Sequence, residues 1–226
     1  MAKFRKIIRE NSEYFLIKKF IRLFKEKIKN TKKKRFSFVL TGGESPINLY
    51  KSISKEKGIA WKKIDFFIGD ERYVNEKSEN SNIRMCRKYL LYPKKISENQ
   101  IYKIDINNKG IAKNTDNYEK KLNKYFNNKK VSFDLILLGI GNDGHIASLF
   151  KNNINNKSKK NVDFVKKKDF LRITLTLKCI NNCKSIFLWA PDKKKSSIVK
   201  KILSDKKLKY PASFLRVKNN FLFHSN

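Results

Sequence analysis

The sequence has little of several things that would fix its class at once. Its three cysteines, Cys86, Cys179 and Cys183, are too few and of the wrong parity for a disulfide scaffold, and they point to a reducing, cytoplasmic compartment. No apolar run approaches the roughly 20 residues that a membrane-spanning helix needs, which excludes a helical membrane protein. The first ten residues carry Lys3, Arg5, Lys6 and Arg9 inside any apolar stretch, so they do not make a secretory signal. His and Cys at metal-ligand spacing are absent, and neither a metal nor a cofactor is expected. Acids are short as well: 20 Asp and Glu face 54 Lys and Arg, a formal charge of +34.

That charge is the usual footprint of a nucleic-acid binder. Such binders gather their cations on one face or tail, with exposed aromatics among them. Here the lysines are scattered along the whole chain. Lys, Asn, Ile and Phe are abundant while Ala and Gly are scarce, the bias that A/T-rich codons write. The basic surface is therefore read as composition, and nothing in the pattern calls for a nucleic acid as partner. Anionic small molecules are still drawn to such a surface, at a rate that falls with salt.

What is present suffices for one domain over residues 1–226. An apolar share of 40% can bury a sizeable core. Residues 12–29 carry Phe15, Leu16, Phe20, Leu23, Phe24 and Ile28 at three- and four-residue steps, the period of an amphipathic helix. Residues 36–41 read as a strand closed by Gly42 and Gly43, and Pro46 suits the first turn of a helix over 47–53. Further strands are expected at 64–68, 101–104, 133–140, 171–177, 185–189 and 214–223. Helices are expected at 81–91, 114–126 and 196–203. Alternation of this kind predicts an α/β fold: a mostly parallel, Rossmann-like sheet with helices on both faces. The Lys/Asn-rich segment 151–168 reads as a mobile loop.

Three apolar strands are each followed by a polar, glycine-bearing loop. In open α/β sheets ligands lie beyond the carboxyl ends of the strands, so loops 41–46, 69–74 and 139–150 should meet at one crevice. The first, with Gly42, Gly43 and Ser45, presents backbone N–H groups at a helix start, a favourable seat for phosphate. The second sets Asp70, Glu71 and Arg72 at a strand end, where an arginine can clamp a phosphate or carboxylate. The third holds His145, one of two histidines in the chain, two residues beyond Asp143. An imidazole on such a loop suits a general base, with the carboxylate to orient it.

These residues also carry a resemblance. Thr41-Gly-Gly-Glu-Ser-Pro46, Asp70-Glu-Arg-Tyr-Val74 with Ser81-Asn82, and Leu138-Gly-Ile-Gly-Asn-Asp-Gly-His-Ile-Ala-Ser-Leu-Phe150 resemble the motifs of the family of 6-phosphogluconolactonases and glucosamine-6-phosphate isomerases. Weaker matches follow at Arg172–Thr176, Lys194 and Tyr210–Ser213. The resemblance implies a metal-free hydrolase that opens a sugar-phosphate lactone, 6-phosphoglucono-1,5-lactone, and acts as a monomer or homodimer. It implies His145 as the base, with Asp143 and Asp70 completing the catalytic set. Arg72, Gly42, Gly43, Ser45, Arg172 and Lys194 are then the substrate- and phosphate-binding residues. Glu44 departs from the Ser or Thr of the pattern, Lys151 from a Pro and Pro191 from a Gly; Lys193 and Lys195 flank Lys194. The deaminase branch of the family resembles this chain less: it carries a Tyr in place of Arg72 and a Glu in place of Phe150.

Overall fold

Five-residue runs that are buried at every position form the middle of the molecule, and each is closed by a glycine or a polar turn. The computed structural model describes residues 4–107, 109–154, 158–207 and 209–225. Its strands β1 (Lys6–Glu10), β2 (Phe36–Leu40), β3 (Ile64–Ile68), β5 (Ile101–Tyr102), β6 (Leu135–Gly139), β9 (Ile186–Ala190) and β10 (Asn220–Ser225) make one sheet in the order β1-β10-β9-β6-β2-β3-β5. Every pairing in it is parallel. Three more strands, β4 (Asp70–Arg72), β7 (Val162–Lys166) and β8 (Leu171–Leu175), form a second, antiparallel sheet in the order β4-β8-β7.

The strand period of two sends neighbouring aromatics to opposite faces. Phe66 of β3 lies beside Phe38, while Phe67 meets Tyr125 and Phe133 at ring distances of 4.8 and 4.9 Å. The first face is covered by helix α1 (Glu13–Lys29), whose Phe20 touches Phe187, Phe223 and Trp189 at 5.1, 5.4 and 5.8 Å. The second is covered by α4 (Ile111–Tyr125), whose buried Tyr118 hydroxyl donates to the Ile68 carbonyl. Shorter helices complete the shell: α2 (Ile47–Lys55), α3 (Asn82–Cys86) running on into a π turn (Arg87–Leu91), α5 (Leu177–Asn181) and α6 (Ser196–Ser204).

The expected α/β sheet is thus present, with several local corrections. The strand β1 lies where no element was expected, because its apolar residues are interrupted by Lys6 and Arg9 on a sheet edge. Asp70–Arg72 is a strand rather than a loop, and the Lys/Asn-rich segment contains β7; both owe their extended form to pairing with β8. Within that segment, residues 155–157 lie outside the described residues. The strand expected at 214–223 begins only at Asn220, after a 3₁₀ turn at Pro211–Phe214.

The strand β2 has β3 on one side and β6 on the other. The chain's winding reverses between β2 and β6, and a crevice opens there at the carboxyl ends of the strands.

Candidate active site

The first loop leaves β2 under a tight clamp. The buried Tyr50 hydroxyl accepts from the Thr41 N–H and donates to the Thr41 carbonyl, at 3.0 and 2.8 Å. Burial raises the Tyr50 phenol well above its ordinary value, so it stays a donor. The Thr41 hydroxyl accepts from the Gly139 N–H at 3.3 Å, tying this loop to the third. Gly42 has no room for a side chain: a Cβ there would sit 1.9 Å from Asn82 Oδ1. Gly43 has φ +80, the left-handed region that glycine enters without cost. Trp189 Nε1 donates to the Ser45 carbonyl at 3.0 Å and fixes the loop where it turns into α2.

The second segment crosses from one sheet to the other at Gly69. Asp70 is buried, and its Oδ2 accepts from the Ser148 hydroxyl of the third loop at 2.6 Å. Glu71 is buried as well. It accepts from the N–H groups of Arg72, Asn82 and Ile83 and from Ser81 Oγ, and so pins the start of α3 under the crevice. Burial pushes its carboxyl up to about 7, against the pull of those N–H donors. Arg72 pairs directly with Arg172 across the antiparallel ladder. Like charges directly opposite are destabilising, and both guanidinium Nε atoms are buried without an acceptor. Arg72 spends Nη1 on the Asn80 carbonyl at 2.7 Å, and Arg172 forms an ion pair with Asp169. Two crowded, incompletely satisfied guanidinium groups make a ready anion site.

The third loop builds the base. His145 Nδ1 lies 2.5 Å from Asp143 Oδ1. A carboxylate can only accept, so Nδ1 carries a proton, and in the neutral imidazole the lone pair is on Nε2. The same oxygen accepts from the His145 backbone N–H at 3.2 Å. Burial works to raise the Asp143 carboxyl, but the hydrogen bond and charge of His145 outweigh it and hold the group below the ordinary value. The loop must be glycine at 141, because a Cβ there would meet the imidazole at 2.0 Å. Phe150 packs against the ring, centroids 4.7 Å apart. Ala147 holds φ +47, a costly conformation for a residue with a Cβ.

The three loops do converge. Gly42, Gly43, Ser45, Asp70, Arg72, His145 and Arg172 line one cleft of about 140 Å³, together with Glu44, Asn82 and Ala147. Asp143 stands behind His145. Lys194 is the exception: it is exposed on a 3₁₀ turn, and its N–H is capped by Asp192. The neighbouring Lys195 donates to Asn142 Oδ1 of the third loop at 2.6 Å. Sequence reasoning missed the Arg72–Arg172 register, because it read residues 69–74 as a loop. No group of three or more His, Cys, Asp and Glu side chains among the described residues is arranged to hold a metal ion, and no helix among them is long and apolar enough to cross a membrane.

Known proteins are similar to this chain in sequence and in fold. A 6-phosphogluconolactonase of Thermotoga maritima is 33% identical over 207 residues, 90% of this chain and 89% of its own length. One from a Nostoc species is 33% identical over 195 residues, covering 84% and 81%. The crystal structure of 6-phosphogluconolactonase from Thermotoga maritima superposes with a TM-score of 0.86 at 28% identity, over 98% of this chain and 99% of that one. The Trypanosoma cruzi enzyme superposes at 0.85 with 26% identity, over 100% and 96%. A family model described as glucosamine-6-phosphate isomerases/6-phosphogluconolactonase matches residues 11–223. That span takes in all three loops and every strand but β1, with β10 matched as far as Phe223, and the chain belongs to the glucosamine-6-phosphate isomerase/6-phosphogluconolactonase family.

Proposed function

We propose that the protein hydrolyses 6-phospho-D-glucono-1,5-lactone to 6-phospho-D-gluconate, the lactone-opening step of the oxidative pentose phosphate pathway. The observation that carries this reading is a His–Asp pair and two facing arginines in one cleft, in a chain whose curated relatives bear that enzyme's name over most of their length. His145 Nε2 takes a proton from water as the oxygen attacks the lactone carbonyl carbon. The carbonyl oxygen becomes an oxyanion beside the positive wall of the cleft. Collapse of that intermediate breaks the bond to the ring oxygen, and the imidazolium returns the proton to the departing alkoxide. The new carboxylic acid loses its own proton to solvent near neutral pH.

Asp143 stabilises the imidazolium while it exists. Asp70, anchored by Ser148, offers its second oxygen to a substrate hydroxyl. Arg72, Arg172 and the Gly42–Ser45 backbone hold phosphate and sugar oxygens. We read Lys194 as contributing only to the field around the cleft. The deaminase reading is poorer here, since an apolar ring rather than a second acid packs on His145. Three free, buried cysteines support a reducing, cytoplasmic location.

Lactone hydrolysis by the purified protein tests this, coupled to 6-phosphogluconate dehydrogenase and corrected for spontaneous opening. A rate no higher than the uncatalysed one would overturn it.

A further inference from the structure

The segment after α6 meets the third loop outside the cleft. Asp205 is buried and accepts from the Tyr210 N–H at 2.9 Å, and the 3₁₀ turn at Pro211–Phe214 follows. Tyr210–Ser213 does not line the cleft, yet two contacts join it to Gly144, the residue between Asp143 and His145. The half-buried Tyr210 side chain lies over Gly144: a Cβ built there would be 2.9 Å from Tyr210 Cδ1 and 3.0 Å from Tyr210 Cβ. The Ala212 N–H donates to the Gly144 carbonyl at 3.1 Å.

The Gly144 carbonyl and the His145 N–H belong to one peptide unit. In a trans peptide the two point to opposite sides of a rigid plane, so a hydrogen bond to one fixes the direction of the other. The His145 N–H donates to Asp143 Oδ1 at 3.2 Å, and the same oxygen faces His145 Nδ1 at 2.5 Å. Within the loop, the Gly144 N–H donates to the Gly141 carbonyl and the Gly141 N–H to the His145 carbonyl, both at 2.9 Å. Those bonds fix the peptide planes on either side of the Gly144–His145 plane, not that plane itself. Gly144 has φ +78 and no side chain, so the backbone there turns more freely than at other residues. If the plane turned over, the His145 N–H would leave Asp143, and the carboxylate would lose the bond that aims it at the imidazole. The Ala212 N–H holds the plane by its carbonyl, and the Tyr210 ring fills the space that a turning glycine must sweep.

We infer that Tyr210 is a positioning residue for the general base: with the Ala212 N–H it locks the Gly144–His145 peptide, which holds Asp143 on the imidazole. This deepens the lactone reading, and its kinetic part rests on it. The ring carries the role and the hydroxyl does not, since the atoms that lie against Gly144 are Tyr210 Cβ, Cγ and Cδ1.

The test compares the full chain with Tyr210→Ala, Tyr210→Phe and Leu23→Ala, the last of which truncates a half-buried side chain of α1. On 6-phosphogluconolactone, Tyr210→Ala should lower kcat by on the order of 10–10²-fold with KM nearly kept, the signature of a misplaced catalytic group rather than a lost binding one. Tyr210→Phe should keep the parent's kcat, and so should Leu23→Ala, whatever its melting temperature. A second readout needs no substrate. The proton between His145 Nδ1 and Asp143 is followed by proton NMR, its resonance assigned by its loss in His145→Ala. It should persist in the parent, Tyr210→Phe and Leu23→Ala, and vanish by exchange with water in Tyr210→Ala. A Tyr210→Ala chain that keeps its kcat or its resonance, an equal loss in Tyr210→Phe or Leu23→Ala, or a parent without the resonance would overturn the assignment. If the parent opened no lactone at all, the functional reading would fall and the resonance alone would decide: its selective loss in Tyr210→Ala upholds the positioning role, and its survival overturns it. Should Tyr210→Ala fail to fold, Tyr210→Leu, which keeps apolar bulk without the flat ring, is read by the same two measures.

Discussion

His145 has one nitrogen committed and one available, and its replacement separates chemistry from binding. His145→Ala is expected to lower kcat by about 10²–10⁴-fold with KM nearly kept, because a general base acts in the transition state. Arg72→Ala should instead raise KM about tenfold, since it removes charged hydrogen bonds to bound substrate. Steady-state rates with the uncatalysed rate subtracted distinguish the two, and a near-normal kcat in His145→Ala would remove the base assignment. Gly141→Ala probes the same imidazole without replacing it. Residue 141 lies outside the left-handed region, so alanine suits the backbone, but its Cβ meets the ring at 2.0 Å. A large fall in kcat with a melting temperature shifted by only a few degrees is expected; normal turnover would show that the ring has freedom to move. Glu71 carries a pH dependence. Its carboxyl titrates near 7 in the fold against 4.5 when unfolded. Both forms are protonated below 4.5, and above 7 the fold must hold a charge that burial disfavours. Stability attributable to Glu71 is therefore full at low pH and falls as pH rises through 4.5 to 7, by on the order of 3 kcal/mol. Urea denaturation of the parent and Glu71→Gln at several pH values should show the difference between them narrowing across that window.

Elements differ in how far the sequence discloses them, and the difference follows from what holds each in place. The strands β2 and β3 are legible because four of the five residues in each are apolar and a glycine follows within two residues. The glycine loops are legible as polar punctuation at strand ends, and the third brings Asp143 and His145 within reach by spacing alone. Asp70–Arg72 is opaque, since three charged residues have no strand propensity of their own. They are extended because β8 pairs with them, 100 residues downstream in sequence. The same holds for β7, whose Lys and Asp residues hide Val162 and Val165. The Arg72–Arg172 confrontation, which no local pattern encodes, follows from that long-range register. Lys193, Lys194 and Lys195 look alike in sequence, and the 3₁₀ turn that carries them, not any local pattern, decides that it is Lys195 that reaches Asn142. The ladder predicts a ligand effect at this scale. Saturating 6-phosphogluconate should raise the melting temperature of the parent by several degrees, since ligand bound to the fold alone stabilises it. In Arg72→Ala that rise should shrink, and an undiminished shift would mean that the anion binds elsewhere.

Across the whole molecule, a charge of +34 surrounds a cleft built for an anion. Its field concentrates anionic substrate near the surface and repels other parts of the same chain. Raising the ionic strength from about 20 to 200 mM contracts the Debye length severalfold. Over that range kcat/KM is expected to fall several-fold with kcat almost constant, while thermal stability in the absence of substrate rises. Stopped-flow and melting curves at matched pH read both. A kcat/KM indifferent to salt would mean that the scattered lysines exert no pull on the substrate.

The hydrogen bond from Trp189 to the Ser45 carbonyl turns the first loop into an optical gauge. Indole emission responds to the polarity and hydrogen bonding at its nitrogen, and Trp189 is wholly shielded from solvent. Trp61 is the other tryptophan, and it sits at the amino end of β3, on the side of the sheet's strand axis away from the cleft. In a Trp61→Phe protein, any shift of the loop on substrate arrival is written directly into the intrinsic fluorescence, with no label attached and no product needed.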